Sequence, residues 1–197
     1  MKSSQPAHKL RAAYEGRHVP RFDPGATIAA PLALHRCRVS DKWVDYNQHM
    51  SESCYLLVFG DSSDAFYRYI GIDDDYRAQG HSIYSVETHL CHLREARHGE
   101  PLALSLRLID VDAKRLHLYH EMHHAESGEL LSTAEQLQVH VDMRAARSAP
   151  FPAEIQARLK LIRDAHAIAP SPACLGRRIA IRRGDTQRDR EPSNIRP

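Results

Sequence analysis

Long apolar runs are absent from the sequence: none approaches the roughly 20 residues that a membrane-spanning helix requires. The first residues, MKSSQPAHKLRAAYEGRH, also lack the apolar centre of a secretory signal. Cysteine is scarce, and Cys37, Cys54, Cys91 and Cys174 form no CxxC pair. Scattered single cysteines predict reduced thiols and a cytoplasmic location, and no membrane partner is expected.

A large excess of one charge is missing as well, since 27 Lys+Arg stand against 25 Asp+Glu. Residues 176–197 are the exception, with seven arginines and three acidic residues, a local net charge of +4 that leaves −2 for the rest of the chain. No aromatic residue interleaves with these arginines, so we predict a solvated basic tail and no nucleic-acid partner.

The 197 residues, 42% of them hydrophobic and 26% charged, predict one globular domain with extensions. We expect an N-terminal extension over residues 1–31 with a short helix at 9–15, and a main domain over 32–145. Residues 146–175 would hold a helix packed on the core, and residues 176–197 form the basic tail.

Hydrophobic periodicity predicts one strand, one long helix and then a run of strands. The first strand covers residues 32–39, and the helix covers residues 51–70, ended by Gly71. Strands are predicted at 82–93, 102–108, 116–122 and 131–142, followed by a helix at 153–167. The expected apolar faces are Tyr84, Val86, Thr88 and Leu90; Leu102, Leu104, Leu106 and Leu108; and Leu137, Val139 and Val141. This order favours an α+β fold in which a curved antiparallel sheet packs around the helix.

The densest group of polar residues, WVDYNQHMS, lies between the first strand and the long helix. Asp45, Asn47 and His49 are spaced by two, so an extended backbone would point their side chains in one direction. The helix start that follows offers free N–H groups for a developing oxyanion, at Met50 and Ser51. These are the parts of an acyl-transfer site. The alternative is that Asp45 and Asn47 only cap the helix and organise a turn.

The stretches WVDYNQHMSESCYLLVF and GHSIYSVETHLCHLREARHGEPL resemble the hotdog-fold acyl-CoA thioesterases, the superfamily that includes 4-hydroxybenzoyl-CoA thioesterase. The segment DKWVDYNQHMSESCYLLVFGDSSDAFYRYIG is most similar to the betainyl-CoA thioesterases of carnitine breakdown. The resemblance implies a hotdog fold with about five strands around the helix and hydrolysis of a small acyl-CoA, with betainyl-CoA favoured. It also implies a homodimer or tetramer, and no cofactor beyond the coenzyme A of the substrate.

The resemblance also assigns roles to residues. Many members carry a catalytic Asp where this chain has Asn47, but the plant acyl-carrier-protein thioesterases carry D-x-N-x-H, which Asp45, Asn47 and His49 match, with a Glu farther along. Glu87 is our candidate for that distant carboxylate. A carboxylate, Glu87 or Asp45, would act as general base or attack directly.

The two ends of such a substrate require different partners. Cationic side chains, with Arg94 and Arg97 as candidates, would meet the phosphates of coenzyme A. The trimethylammonium of a betainyl group would require aromatic side chains, and Trp43, Tyr46 and Tyr55 lie close to the motif.

Two other functions stay open at this point. A hotdog protein that binds acyl-CoA without hydrolysing it would share these features. A zinc peptidase is suggested by His120-Glu121-Met122-His123-His124, which satisfies H-E-x-x-H. That motif requires a helix, whereas Leu116-His117-Leu118 alternates as a strand does, and His120 and His124 would then lie about 13 Å apart. We therefore expect no metal site.

Overall fold

The computed structural model describes residues 20–181, so the helix predicted at residues 9–15 and the tail from residue 182 lie outside the described residues. The predicted order of one strand, a long helix, a run of strands and a closing helix is confirmed. The elements in chain order are β1 (Leu32–Arg38), a 3-10 turn (Asp41–Trp43), α1 (Glu52–Ile70), α2 (Asp74–Ala78), β2 (His81–His92), β3 (Pro101–Val111), β4 (Arg115–His124), β5 (Leu130–Asp142), β6 (Arg147–Ser148) and α3 (Ala153–His166).

The strands form one antiparallel sheet in the order β1-β3-β4-β5-β2, with the short β6 added to β5. Strands β1 and β2 are therefore the two ends of the main ladder. The predicted apolar face of β3 is confirmed, because Leu102, Leu104, Leu106 and Leu108 are at most 2% exposed. The sheet curls around α1, which confirms the α+β class and the hotdog arrangement.

Helix α1 is the centre of the core. Its buried apolar side chains, among them Val58, Phe59 and Phe66, are fully covered by the sheet. Each such side chain contributes about 1.5–3 kcal/mol through burial. The helix ends at Gly71, whose φ of 100° closes the last turn in the left-handed region, as the sequence predicted.

Helix α3 covers the β1–β3 end of the core. The helix buries three apolar side chains in this part of the core: Ile155, Leu159 and Ile162. His166 at the end of the helix links two further segments, because its Nδ1 accepts the Leu108 N–H at 2.8 Å and its Nε2 donates to the Ala29 carbonyl at 3.0 Å. Among the helices of residues 20–181, none combines the length and the hydropathy that crossing a bilayer requires.

The predicted apolar face of β5 is wrong at two of its three residues; Val141 is buried as predicted, at 8% exposed. Gln136, Gln138 and His140 are buried, at most 3% exposed, whereas Leu137 and Val139 are only half-buried. Hydrogen bonds explain why polar side chains tolerate burial there: Gln138 accepts from the Tyr67 hydroxyl at 2.7 Å and donates to Gln136 at 3.0 Å.

The predicted apolar face of β2 is also wrong. Its pairing register with β5 shifts between Ser85 and Glu87, so that Val86 is an extra, bulged residue. The shift exchanges the two faces of the strand, and Tyr84 and Val86 are 52% and 57% exposed instead of buried. Farther along, Leu90 lies opposite the buried Ala134 and packs on the core.

Candidate active site

Residues 45–49 form a tight turn and not the extended approach that the spacing suggested. The Asp45 N–H donates to the His49 carbonyl at 2.9 Å, and the Asp45 carboxylate accepts the Asn47 N–H at 2.7 Å. Gln48 has a φ of 64°, and a β-bridge between Val44 and Met50 closes the turn. The alternative interpretation, in which Asp45 organises a turn, is therefore confirmed for its local structure.

The His49 side chain contacts a carboxylate that the sequence did not reveal as part of the site. Its Nε2 lies 3.0 Å from Glu95 Oε2. The His49 side chain is 25% exposed and the Glu95 side chain 70%, so the pair sits where solvent can reach it. Glu95 belongs to the irregular segment between β2 and β3, where periodicity gives no signal, although it lies within the stretch that resembled the thioesterases.

The segment that carries Glu95 is held against α1 from two sides. The Met50 N–H donates to the Ala96 carbonyl at 2.7 Å, and the Ala96 N–H donates to the Tyr55 hydroxyl at 3.1 Å. Tyr55 is only 3% exposed, and its ring contacts His92 edge to face at a centroid distance of 4.8 Å. Tyr55 was predicted to contact the substrate; the structure instead buries the ring and engages the hydroxyl with the protein's own backbone.

The predicted oxyanion donors Met50 and Ser51 are wrong. Their N–H groups are already engaged, the first with Ala96 and the second with the Trp43 carbonyl at 2.8 Å. The next two N–H groups, those of Glu52 and Ser53, make no hydrogen bond with any residue in the described range 20–181. They lie at the start of a 19-residue helix, whose dipole favours negative charge there.

Glu87 does not join the motif within one chain. Directly opposite residues of an antiparallel pair share a face, and Glu87 lies opposite Leu137, on the outer side of the sheet away from α1. It lines an open cleft of about 720 Å³ on that side, together with His89, His117 and Glu135. His117 and Glu135 form an ion pair at 2.8 Å. The candidate general base of the sequence is thus on the face opposite the helix start.

The remaining predicted contacts surround the turn. Tyr46 lies at its tip and is 91% exposed, whereas Trp43 is half-buried on the core. Arg94 and Arg97 flank Glu95 and are exposed. Arg94 forms an ion pair with Glu129 at 3.0 Å, and both side chains are largely exposed. Such an exposed pair is worth little and leaves Arg94 available to a stronger anion.

The HExxH segment lies on β4, as its alternation predicted, and not on the helix that a zinc peptidase requires. His120 points into the core beside the Phe59 ring, and burial lowers its pKa to about 3. The next residue, Glu121, lies on the other face of the strand, near His123. No group of three or more His, Cys, Asp or Glu side chains within residues 20–181 is arranged to hold a metal ion.

The model of the thioesterase-like superfamily matches residues 39–159, which contain the turn, α1 and the whole of β2 to β5. A Staphylococcus aureus protein whose structure was solved in complex with CoA superposes with a TM-score of 0.72 at 26% identity. The match covers 80% of this chain and 99% of that one. The sheet curled around one long helix is therefore shared with solved relatives over nearly their whole length.

Curated relatives match at higher identity. The betainyl-CoA thioesterase of Pseudomonas aeruginosa is 38% identical over 151 residues, which cover 76% of this chain and 95% of that protein. The L-carnitine dehydrogenase/betainyl-CoA thioesterase of Rhizobium meliloti is 46% identical over 180 residues, 90% of this chain. The match spans only 36% of the length of that larger protein.

Proposed function

Because the chain belongs to the thioesterase-like superfamily, we propose that it hydrolyses the thioester of a small acyl-CoA, with betainyl-CoA as the favoured substrate. The observation that carries the proposal is the His49–Glu95 pair just before α1, whose first two N–H groups, those of Glu52 and Ser53, make no hydrogen bond within residues 20–181. An imidazole held by a carboxylate beside oxyanion donors is the arrangement that acyl transfer to water requires.

In the proposed reaction His49 acts as general base on a water molecule, and Glu95 orients the imidazole through their 3.0 Å contact. The water oxygen adds to the thioester carbonyl, and the Glu52 and Ser53 N–H groups donate to the oxygen that becomes negative. The carbon–sulfur bond then breaks, and the protonated His49 returns its proton to the departing CoA sulfur, which releases the carboxylic acid and the thiol of CoA and restores the neutral imidazole. Asp45 contributes by fixing the turn that aims His49. The steps use water and the chain's own side chains, with no cofactor.

Negative charge around the turn supports a substrate whose acyl group is cationic. The carboxylates of Asp45, Glu52 and Glu95 lie on the turn, at the helix start and on the adjoining segment. A trimethylammonium cannot donate an N–H hydrogen bond and is bound by negative charge and aromatic faces. We propose that these carboxylates attract it and that Tyr46 and Trp43, the aromatic residues next to Asp45, contact it.

The phosphates of CoA require cations in reach of the same site. Arg94 and Arg97 flank Glu95 and are exposed, which supports their predicted role. Charge-assisted contacts from a guanidinium to a phosphate are stronger than an exposed Arg–Glu pair.

We further propose that the protein acts as a homodimer or a higher oligomer. Strand β2 is an edge of the sheet and exposes Tyr84 and Val86. Helix α1 exposes Leu56 by 43% and Leu57 by 50%. Gly60, on the next turn of the helix, is also exposed, and a Cβ added there would meet no atom within 4 Å. Exposed apolar side chains and a strand edge that pairs with no further strand within residues 20–181 are the kind of surface that a second copy covers. Free Cys37, Cys54, Cys91 and Cys174 are in keeping with a cytoplasmic location.

The test is release of free CoA from a panel that contains betainyl-CoA, short straight-chain acyl-CoAs and aromatic acyl-CoAs. We expect turnover, with the highest kcat/KM for betainyl-CoA. Binding of these compounds without release of CoA would favour the alternative, a hotdog protein that binds acyl-CoA but does not hydrolyse it.

A further inference from the structure

Tyr55 is the buried residue that connects helix α1 to the segment carrying Glu95. Its hydroxyl accepts the Ala96 N–H at 3.1 Å and lies 3.4 Å from the Arg94 carbonyl, to which it donates. One side chain thus contacts the backbone on both sides of Glu95. Together with the bond from the Met50 N–H to the Ala96 carbonyl, this fixes the backbone of Glu95 relative to the turn.

We infer that Tyr55 is a positioning residue that holds Glu95 at hydrogen-bond distance from His49. The inference rests on the proposed function, since Glu95 matters for turnover only if the His49–Glu95 pair acts in hydrolysis. Tyr55 itself is covered by the protein and is only 3% exposed. Without its hydroxyl, the segment loses one contact on each side of Glu95 and keeps the bond from the Arg94 N–H to the Leu131 carbonyl at 3.0 Å and the Met50 contact at Ala96.

The electrostatic surroundings of the phenol agree with this geometry. Burial raises the pKa of Tyr55, the Ala96 N–H opposes that shift, and the carboxylates of Glu95 and Glu100 raise the pKa further. The hydroxyl therefore stays protonated at neutral pH and remains a donor to the Arg94 carbonyl.

Tyr67 provides a matched control. It lies on the same helix, about 18 Å farther along the axis at about 1.5 Å per residue, and its hydroxyl donates one bond, to Gln138 at 2.7 Å. Burial raises its pKa as it does that of Tyr55. Tyr55→Phe and Tyr67→Phe each remove one buried hydroxyl from α1, but only the first removes the contact with the Glu95 segment.

The experiment measures kcat and KM for betainyl-CoA in four variants: Tyr55→Phe, Tyr67→Phe, Glu95→Gln and the double variant Tyr55→Phe/Glu95→Gln. We expect Tyr55→Phe to lower kcat about 10-fold or more with KM changed less than about twofold, because a displaced catalytic group costs rate. Tyr67→Phe should keep kcat within about twofold. In the Glu95→Gln background, Tyr55→Phe should lower kcat by less than about twofold further, because both changes remove the same contribution.

Equal kcat values for Tyr55→Phe and Tyr67→Phe in an active wild type would overturn the inference. The inference would also be overturned if Tyr55→Phe lowered kcat in the Glu95→Gln background as much as it does in the wild type, since Tyr55 would then act independently of Glu95. An inactive wild type is a different outcome: it refutes the proposed function, and with it the role of Tyr55.

Discussion

The Nε2 of His49 and the Oε2 of Glu95 lie 3.0 Å apart, although His49 precedes α1 in the chain and Glu95 follows β2. The turn at 45–49 presents the imidazole, and the segment after β2 presents the carboxylate. Backbone hydrogen bonds hold both segments to the two residues before α1, since the Ser51 N–H donates to the Trp43 carbonyl and the Met50 N–H to the Ala96 carbonyl. The pair is therefore built by three segments that meet only in the folded protein.

Glu95→Gln should lower turnover much more than Glu87→Gln. Glu95 contacts His49, whereas Glu87 lies on the outer side of the sheet, away from α1. Steady-state CoA release should show kcat reduced at least about 10-fold for Glu95→Gln and less than about twofold for Glu87→Gln. The opposite ranking would place the general base on β2.

Replacing Asp45 by Asn should be tolerated better than replacing it by Ala. The Asn amide oxygen can still accept the Asn47 N–H, which the Asp45 carboxylate accepts at 2.7 Å, whereas Ala cannot. We expect Asp45→Asn to keep kcat within about fivefold and Asp45→Ala to lose about 10-fold or more, with His49 no longer aimed. Equal and large losses in both variants would mean that the charge of Asp45, and not the turn, is what the reaction needs.

Strand β3 and helix α1 followed from the sequence because each has one dominant apolar face. Alternating leucines predicted β3, and α1 was predicted by helical spacing and by Gly71 at its end. The interior face of β5 did not follow, because its polar residues are buried only thanks to hydrogen bonds from distant elements. Gln138, for example, depends on Tyr67 of α1.

The site was predictable only in part, for the same reason. The sequence located the polar segment and the helix start, since polar residues crowd there, but the spacing suggested an extended backbone where the structure has a turn. It did not reveal Glu95, because the pairing with His49 depends on how the segment after β2 closes over α1. It assigned the oxyanion donors to two N–H groups that the folded chain engages, that of Met50 with the Ala96 carbonyl and that of Ser51 with the Trp43 carbonyl.

Stability should fall as the pH drops below about 6.5, in part because of His120. Burial lowers the pKa of His120 in the folded protein to about 3, against about 6.5 when unfolded, so the unfolded chain binds more protons between these values. The contribution is complete above pH 6.5 and is lost on acidification, at about 1.4 kcal/mol per pH unit. The free energy of unfolding should be measured in urea at pH 6.5 and pH 5 for the wild type and His120→Gln. Its decrease between the two pH values should be about 2 kcal/mol smaller in the variant. Parallel losses in the two proteins would show that His120 does not titrate on unfolding.

Association through β2 should be sensitive to a charge at the bulge. Val86 is 57% exposed on the edge strand, so Val86→Arg would place a cation in the proposed contact between two copies. Leu161→Arg is the matched control, because Leu161 is 48% exposed on α3, away from that edge. Sedimentation velocity should show an oligomer for wild type and Leu161→Arg and a smaller species for Val86→Arg. A monomeric wild type, or an unchanged Val86→Arg, would contradict the contact.

The central claim is that the site hydrolyses a thioester whose acyl group carries a positive charge. The most direct test compares kcat/KM for betainyl-CoA with that for 3,3-dimethylbutyryl-CoA, in which a carbon atom replaces the quaternary nitrogen and the shape is kept. The carboxylates around the turn predict a preference of at least about 10-fold for betainyl-CoA, equivalent to about 1.4 kcal/mol. Equal kcat/KM values, or faster hydrolysis of the neutral compound, would contradict the account.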